Sequence, residues 1–218
     1  MSEVETGSLD ADMIRTSYDA VADKYAREFF DELSRKPFDC ALLDAFAAAC
    51  EGGGKVLDVG CGPGHVARYL SQRGVDTAGL DLSPVTVDLA RHLNPDLEFS
   101  TGDMRALEIP PSTLSGLVAF YSIIHIPRME VPLALGEFHR VLNPGGRLLL
   151  SVHGGTGVVH RDEFLGEAVP FEATLFSLGE IVSLVESAGF WVDEARQRKP
   201  YEFEHQTLRI YVIAHRED

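Results

Sequence analysis

Three cysteines in 218 residues, Cys40, Cys50 and Cys61, are too few and too odd in number for a disulfide framework. No C-x-x-C pair suggests zinc, so reduced thiols and no bound metal are expected. No window approaches the ~18 apolar residues of a membrane span, and the stretch Met1 to Asp10 is acidic without an apolar centre. Basic residues are scarce: 19 Lys and Arg stand against 34 Asp and Glu, a formal net charge of −15. That balance disfavours DNA or RNA, because binding a polyanion relies on a basic surface that releases counterions from phosphates. The two local basic clusters, Arg196 to Lys199 and Arg209 to Arg216, are thin and read as solvated edge positions. Internal repeats and low-complexity segments are missing too. The expectation is a soluble, cytoplasmic protein without nucleic-acid or membrane partners. Its 45% hydrophobic content is enough for the core of one domain, or of one domain with a small cap.

What is present is an alternation of helix and strand signals. Ile14, Tyr18, Val21, Tyr25 and Phe29 recur at spacings of three and four, which predicts an amphipathic helix acting as a lid. Pro37 opens a second helix with Phe38, Leu42, Leu43 and Phe46 facing inward, and Gly52-Gly53-Gly54 stops it. The reading is therefore a helical cap over residues 1–50 and a main domain over residues 51–218. Strands are expected at Val56 to Val59, Val75 to Leu80 and Leu97 to Thr101. Gly116 to Tyr121 and Arg147 to Val152 are nearly continuous apolar runs, as in strands covered by helices on both faces. Ser83-Pro84 start a helix ending near Leu93, and Ser177 with Glu180 forms a capping-box pattern for another that ends at Gly189. Phe190 to Ala195 and Thr207 to Ala214 read as the last strands. Gly154 to Phe176 reads as an irregular segment, long enough to be functional.

The chemistry-bearing stretch is Val56-Leu57-Asp58-Val59-Gly60-Cys61-Gly62-Pro63-Gly64-His65, a strand running into a glycine-rich turn and a helix. Gly60 and Gly62 let a ligand lie against the backbone, and the helix from about Gly64 aims free N–H groups at it. The dinucleotide spacing G-x-G-x-x-G is absent, so no diphosphate cradle is evident. Asp81, 21 positions past Gly60, can accept hydrogen bonds from both hydroxyls of a ribose. Asp103 can accept from an adenine amino group while Met104 packs on the ring.

These residues resemble the class I S-adenosylmethionine-dependent methyltransferases, with Leu57 to Gly64 standing for the glycine motif. The resemblance continues through Phe120-Tyr121-Ser122-Ile123-Ile124-His125 and Leu142-Asn143-Pro144-Gly145-Gly146-Arg147-Leu148. It implies an α/β fold with a doubly wound, mostly parallel seven-stranded sheet, helices on both faces and an antiparallel last strand. It implies S-adenosylmethionine as cofactor, held by Gly60, Cys61, Gly62, Asp81, Leu82, Asp103, Met104 and Tyr121, with Asp58 helping at the amino-acid end. Tyr18 and Tyr25 would close over that end, although both also suit simple core packing.

The expected chemistry is in-line attack by a small-molecule nucleophile on the sulfonium methyl, which positioning alone can accelerate. If the acceptor is a hydroxyl, His125 and His153 at the strand exits are the candidate bases, because imidazole titrates near neutral pH. His160 and His205 rank below them. Two other readings stay open: a module that binds the cofactor without catalysis, and a nicotinamide-dependent oxidoreductase. The missing G-x-G-x-x-G argues against the latter.

Overall fold

The apolar run Leu114–Phe120 is buried at every position and forms the central strand of a seven-stranded sheet in the computed structural model, which describes residues 9–217. Residues 1–8, which belong to the acidic N-terminal stretch and to the expected 1–50 cap, lie outside the described residues. Two helices come first, α1 (Ala11–Phe29) and α2 (Pro37–Cys50), with Asp10 capping α1 through Met13 N–H and Pro37 at the start of α2. Then follow β1 (Val56–Val59), α3 (His65–Ser71), β2 (Thr77–Asp81), α4 (Pro84–Leu93), β3 (Glu98–Thr101) and β4 (Leu114–Phe120). The second half comprises α5 (Val131–Val141), β5 (Leu142–Gly154), β6 (Val158–Arg161), β7 (Phe171–Thr174), α6 (Leu178–Ser187), β8 (Phe190–Arg198) and β9 (Leu208–Arg216). Ser83 caps α4 through Thr86 N–H, and Ser177 and Glu180 form a complete capping box on α6.

The sheet order is β3-β2-β1-β4-β5-β9-β8, with β9 antiparallel to both neighbours and the pairings among β1 to β5 parallel. This is the α/β architecture with an antiparallel last strand implied by the sequence. Side chains alternate across it. Val118, Leu149 and Tyr211 face α2 and α3, whereas Leu117, Ala119, Leu148, Leu150 and Val212 face α5 and α6. Fully burying each large aliphatic contributes about 1.5–3 kcal/mol. Of the expected N-terminal cap, α2 packs directly on the sheet through Leu42, Leu43, Phe46 and Cys50. By contrast, α1 lies across the carboxyl ends of the strands.

Two sequence expectations change. The Gly154 to Phe176 segment is not irregular throughout: β6 and β7 pair antiparallel as a separate hairpin, Val158 opposite Thr174. Four-residue strands, one with no buried residue and the other buried at three consecutive positions, show no alternation to read. The basic clusters are not solvated throughout either. Arg209 is 3% exposed, and Arg198 is paired at 2.7 Å with the fully buried Asp39 and at 2.7 Å with Glu204. Both acids are remote or loop positions whose proximity only the fold creates. Among the described residues, no helix is long and apolar enough to cross a membrane.

Candidate functional site

Parallel strands leave their carboxyl ends on one rim, and a crevice opens where the strand order reverses, here between β1 and β4. At that point Gly60 has φ +65°, and a Cβ there would sit 2.3 Å from Ser122 Cβ. The loops leaving β1 and β4 therefore touch, and only glycine allows it. Gly64 also turns with positive φ into α3, where a Cβ would meet Phe99 at 2.6 Å.

Two adjoining cavities lie on this rim beneath α1, of about 90 and 360 Å³. The smaller is lined by Tyr18, Tyr25, Gly60, Cys61, Gly62, Asp81, Leu82, Asp103, Met104, Tyr121 and His125 among others, so eleven of the thirteen residues singled out from sequence meet there. Asp58 and His153 do not line it. Asp58 is 1% exposed and accepts from Ala67 N–H at 3.1 Å, which braces β1 against the first turn of α3. That N–H, expected to face a ligand, is thus already taken. Burial pushes the Asp58 carboxyl up to about 7, with Asp81 adding to the rise and His65 and the Ala67 N–H opposing it.

Asp81 is held from both sides: Gly62 N–H donates to one oxygen at 2.9 Å and Ser83 N–H to the other at 3.0 Å. Burial raises its pKa, and these N–H groups restrain the rise. Each oxygen keeps a further lone pair for a ligand. Asp103 is gripped by Arg105, whose Nη2 donates at 2.6 Å and whose backbone N–H donates at 2.8 Å. Although partial burial opposes it, Arg105 holds this carboxyl below its usual range. Arg105 also pairs with Glu130. The sequence reading missed Arg105, and it missed Asp19, which accepts from the Ser83 hydroxyl at 2.6 Å and ties α1 to the start of α4.

Tyr121 has φ +54°, uncommon for an aromatic residue and a mark of a constrained position. Its N–H donates to Ser151 O at 3.0 Å. Its hydroxyl lies 2.8 Å from that of Tyr211, which donates to Asp39 at 2.9 Å. The ring thereby becomes a wall shared by both cavities.

His125 also borders both cavities. Its Nδ1 is 2.7 Å from the Glu172 carbonyl, which can only accept, so Nδ1 carries the proton and Nε2 accepts from the Tyr18 hydroxyl at 2.7 Å. Burial drops the imidazole pKa to about 4, against the pull of the Glu172 carbonyl, so the ring is neutral near pH 7. Burial likewise raises the Tyr18 pKa well above its ordinary value, and its phenol stays protonated.

The larger cavity was not foreseen. The β6–β7 hairpin supplies Phe164 and Phe171, and α1 is tied to it by Ser17 Oγ donating to Pro170 O at 2.8 Å and by a 2.5 Å Lys24–Glu167 pair. His153 and His205 line it as well, whereas His160 is exposed and hydrogen-bonded to Glu172. His160 is kept from the cavity by its outward place on the hairpin edge.

Four buried polar atoms have no partner among the described residues, and two of them, Ser122 Oγ and His65 Nδ1, belong to residues that line the smaller cavity. Buried polar atoms are nearly always satisfied, so this lining calls for a polar ligand. A glycine wall, a pre-oriented carboxylate and a thioether together suit an adenosyl group with a polar amino-acid tail. S-adenosylmethionine is such a molecule.

Comparison with known proteins agrees. Residues 56–146 match the model of a methyltransferase domain. A malonyl-[acyl-carrier protein] O-methyltransferase from Serratia marcescens is 33% identical over 45% of this chain and 38% of its own length. A demethylmenaquinone methyltransferase from Renibacterium salmoninarum is 28% identical over 86% of this chain and 81% of its own. The chain spans about half or less of the length of several curated relatives, from 38% to 54%. In fold it is similar to the magnesium protoporphyrin IX methyltransferase of Synechocystis solved with bound S-adenosylmethionine, at a TM-score of 0.72 and 18% identity, covering 98% of this chain and 100% of that one. The strand order, the glycine turn at its switch point and the matched residues converge: residues 56–146 match a methyltransferase domain, and the chain has the fold of the class I, Rossmann-like S-adenosylmethionine-dependent methyltransferases.

Proposed function

We propose that the protein transfers a methyl group from S-adenosylmethionine to a small-molecule acceptor, with the cofactor in the smaller cavity and the acceptor in the larger. The observation that carries this reading is that the two cavities adjoin at Tyr18, Tyr25, Tyr121 and His125, so that occupants of each meet at one place. Relatives named for acting on demethylmenaquinone and phosphoethanolamine support a small-molecule acceptor.

When bound, the cofactor supplies an electrophilic methyl on a sulfonium. The chain's own residues do the rest. Asp81 receives the ribose hydroxyls, and Asp103, steadied by Arg105, faces the adenine with Leu82 and Met104 against the ring. The Gly60-Cys61-Gly62 backbone forms the floor, and Ser122 and His65 offer their unpartnered atoms to the amino-acid tail. Asp58 braces the loop beneath. Tyr18 and Tyr25, carried on α1, cover the site, so α1 acts as a lid that keeps water out while α2 remains with the sheet. For a hydroxyl acceptor, His125 Nε2 takes the proton, directly or through the Tyr18 hydroxyl. His153 does not share that task, because it does not border the cofactor cavity.

Thermal shift with S-adenosylhomocysteine and with NAD tests the cofactor, since a ligand that binds only the native state raises stability. The expected result is stabilisation by the former alone. Methyl transfer to a panel of small hydroxyl, amine and carbon acceptors tests the reaction. Cofactor binding without transfer to any acceptor would point to a binding module. Asp81→Ala is expected to weaken S-adenosylhomocysteine by about 1–3 kcal/mol through unpaired ribose hydroxyls. Unchanged affinity in calorimetry would remove Asp81 from the site.

A further inference from the structure

The two walls of the larger cavity differ in chemistry. One is apolar and aromatic: Tyr18, Tyr25, Phe29, Phe164, Phe171 and Leu175. Phe164 and Phe171 pack at 4.7 Å between ring centroids, and Phe164 meets Tyr18 edge-on at 5.5 Å. Such a wall suits a flat body.

The other wall carries charges of both signs, in a chain whose formal net charge is −15. Arg35, Lys36, Arg161 and Arg209 line the cavity against Glu28, Glu32 and Glu204. Glu32 and Glu204 pair with cations of this same lining, Glu32 with Lys36 and Glu204 with Lys36 and Arg209, while Glu32 also meets His65 and Glu204 also Arg198. Glu28, Arg35 and Arg161 are exposed at its rim.

His153 sits on this wall, and its neighbours favour one tautomer. Thr207 Oγ1 accepts from Arg209 Nη1 at 2.7 Å, and an arginine can only donate. The single hydroxyl hydrogen of Thr207 is left for its other neighbour, His153 Nδ1, at 2.8 Å. That hydroxyl has no other acceptor among the described residues, so the arrangement that uses its hydrogen makes Nδ1 the acceptor and puts the ring proton on Nε2, which has no hydrogen-bond partner among the described residues. This is the reverse of His125, whose Nε2 accepts. Burial, together with the positive charges of Arg209 and Lys36 and the nearby His205 and His125, lowers the His153 pKa to about 3, so the ring stays neutral. His153 is a donor here and not a base. Beside it, Arg209 spends both Nη1 hydrogens on Thr207 and one Nη2 hydrogen on His205 O, which leaves one Nη2–H.

We infer that the larger cavity takes a methyl acceptor with a flat apolar body and a carboxylate, whose oxygens are received by His153 Nε2–H and the Arg209 guanidinium. This rests on the methyl-transfer reading above and specifies its substrate class.

The test uses a matched pair of probes, naphthoate and naphthamide, titrated calorimetrically into the full chain saturated with S-adenosylhomocysteine. The two have the same shape, and only the first is an anion. Naphthoate is expected to bind about tenfold tighter or more, since charge-assisted hydrogen bonds are roughly twice as strong as neutral ones. His153→Phe, which keeps the ring and removes the N–H, is expected to shrink that preference, and His153→Gln, which retains an N–H donor, to restore most of it. Equal affinity for the two probes, no measurable naphthoate binding, or a preference unmoved in His153→Phe overturns the inference while leaving the cofactor reading intact. Failure of S-adenosylhomocysteine to stabilise the protein is a separate result, and it removes the reading on which the inference stands.

Discussion

Replacing Asp39 by alanine is expected to lower the free energy of unfolding by about 3–5 kcal/mol, the usual cost of stripping one partner from a buried ion pair. Asp39 is fully buried in the first turn of α2. One carboxylate oxygen accepts from Arg198 Nη2 at 2.7 Å and the other from the Tyr211 hydroxyl at 2.9 Å. Three acids, Asp39, Glu32 and Glu204, offset three cations, Lys36, Arg198 and Arg209, across this one network. Without Asp39 one positive charge is left in the interior, and Glu204 alone remains on Arg198. Asp39→Asn, which retains hydrogen bonding but not charge, is expected to cost less. Urea unfolding of the two variants beside the parent measures both. A loss below about 1 kcal/mol in the alanine variant would mean that the charges rearrange or hydrate freely, contrary to the buried-pair argument.

The second large effect concerns turnover. For a hydroxyl acceptor, His125→Asn is expected to reduce kcat by about 10²–10⁴, the range a positioned acid–base group supplies, with S-adenosylhomocysteine affinity little changed. The sign of the pH dependence follows from the environment of the ring. Burial lowers the His125 pKa to about 4, so Nε2 is free of a proton above that value and becomes protonated as pH falls through it. The parent enzyme should therefore hold its kcat/KM from neutral pH down to about 5 and lose it near pH 4. An ordinary imidazole would begin to fail near pH 6.5. The variant should lack that acid limb. Equal turnover in parent and variant across this range would reduce His125 to a strut between Tyr18 and Glu172.

Much of the architecture was legible because it is written in local chemistry. Pro84 behind Ser83 sets the start of α4, the Ser177–Glu180 capping box sets that of α6, and the apolar runs of β4 and β5 mark strands covered on both faces. The smaller cavity was legible for a similar reason. A parallel sheet brings its strand ends to one rim, so Gly60, Asp81, Asp103 and Tyr121 meet although they are scattered over some sixty residues. The hairpin of β6 and β7 was not legible, because each strand has four residues and neither alternates: β6 has no buried residue and β7 is buried at three consecutive positions.

The amino-acid sequence by itself determined the order of helices and strands outside the β6–β7 hairpin, the glycine turn and the acids that follow it, because caps, periodicity and backbone freedom act over a few residues. Only the tertiary structure decided which charges are buried and which way each histidine donates. Arg198 reaches Asp39 across 159 positions and His153 meets Thr207 across 54. Desolvation and hydrogen-bond direction belong to neighbours in space, and a burial or a tautomer exists only once the fold has brought those neighbours together.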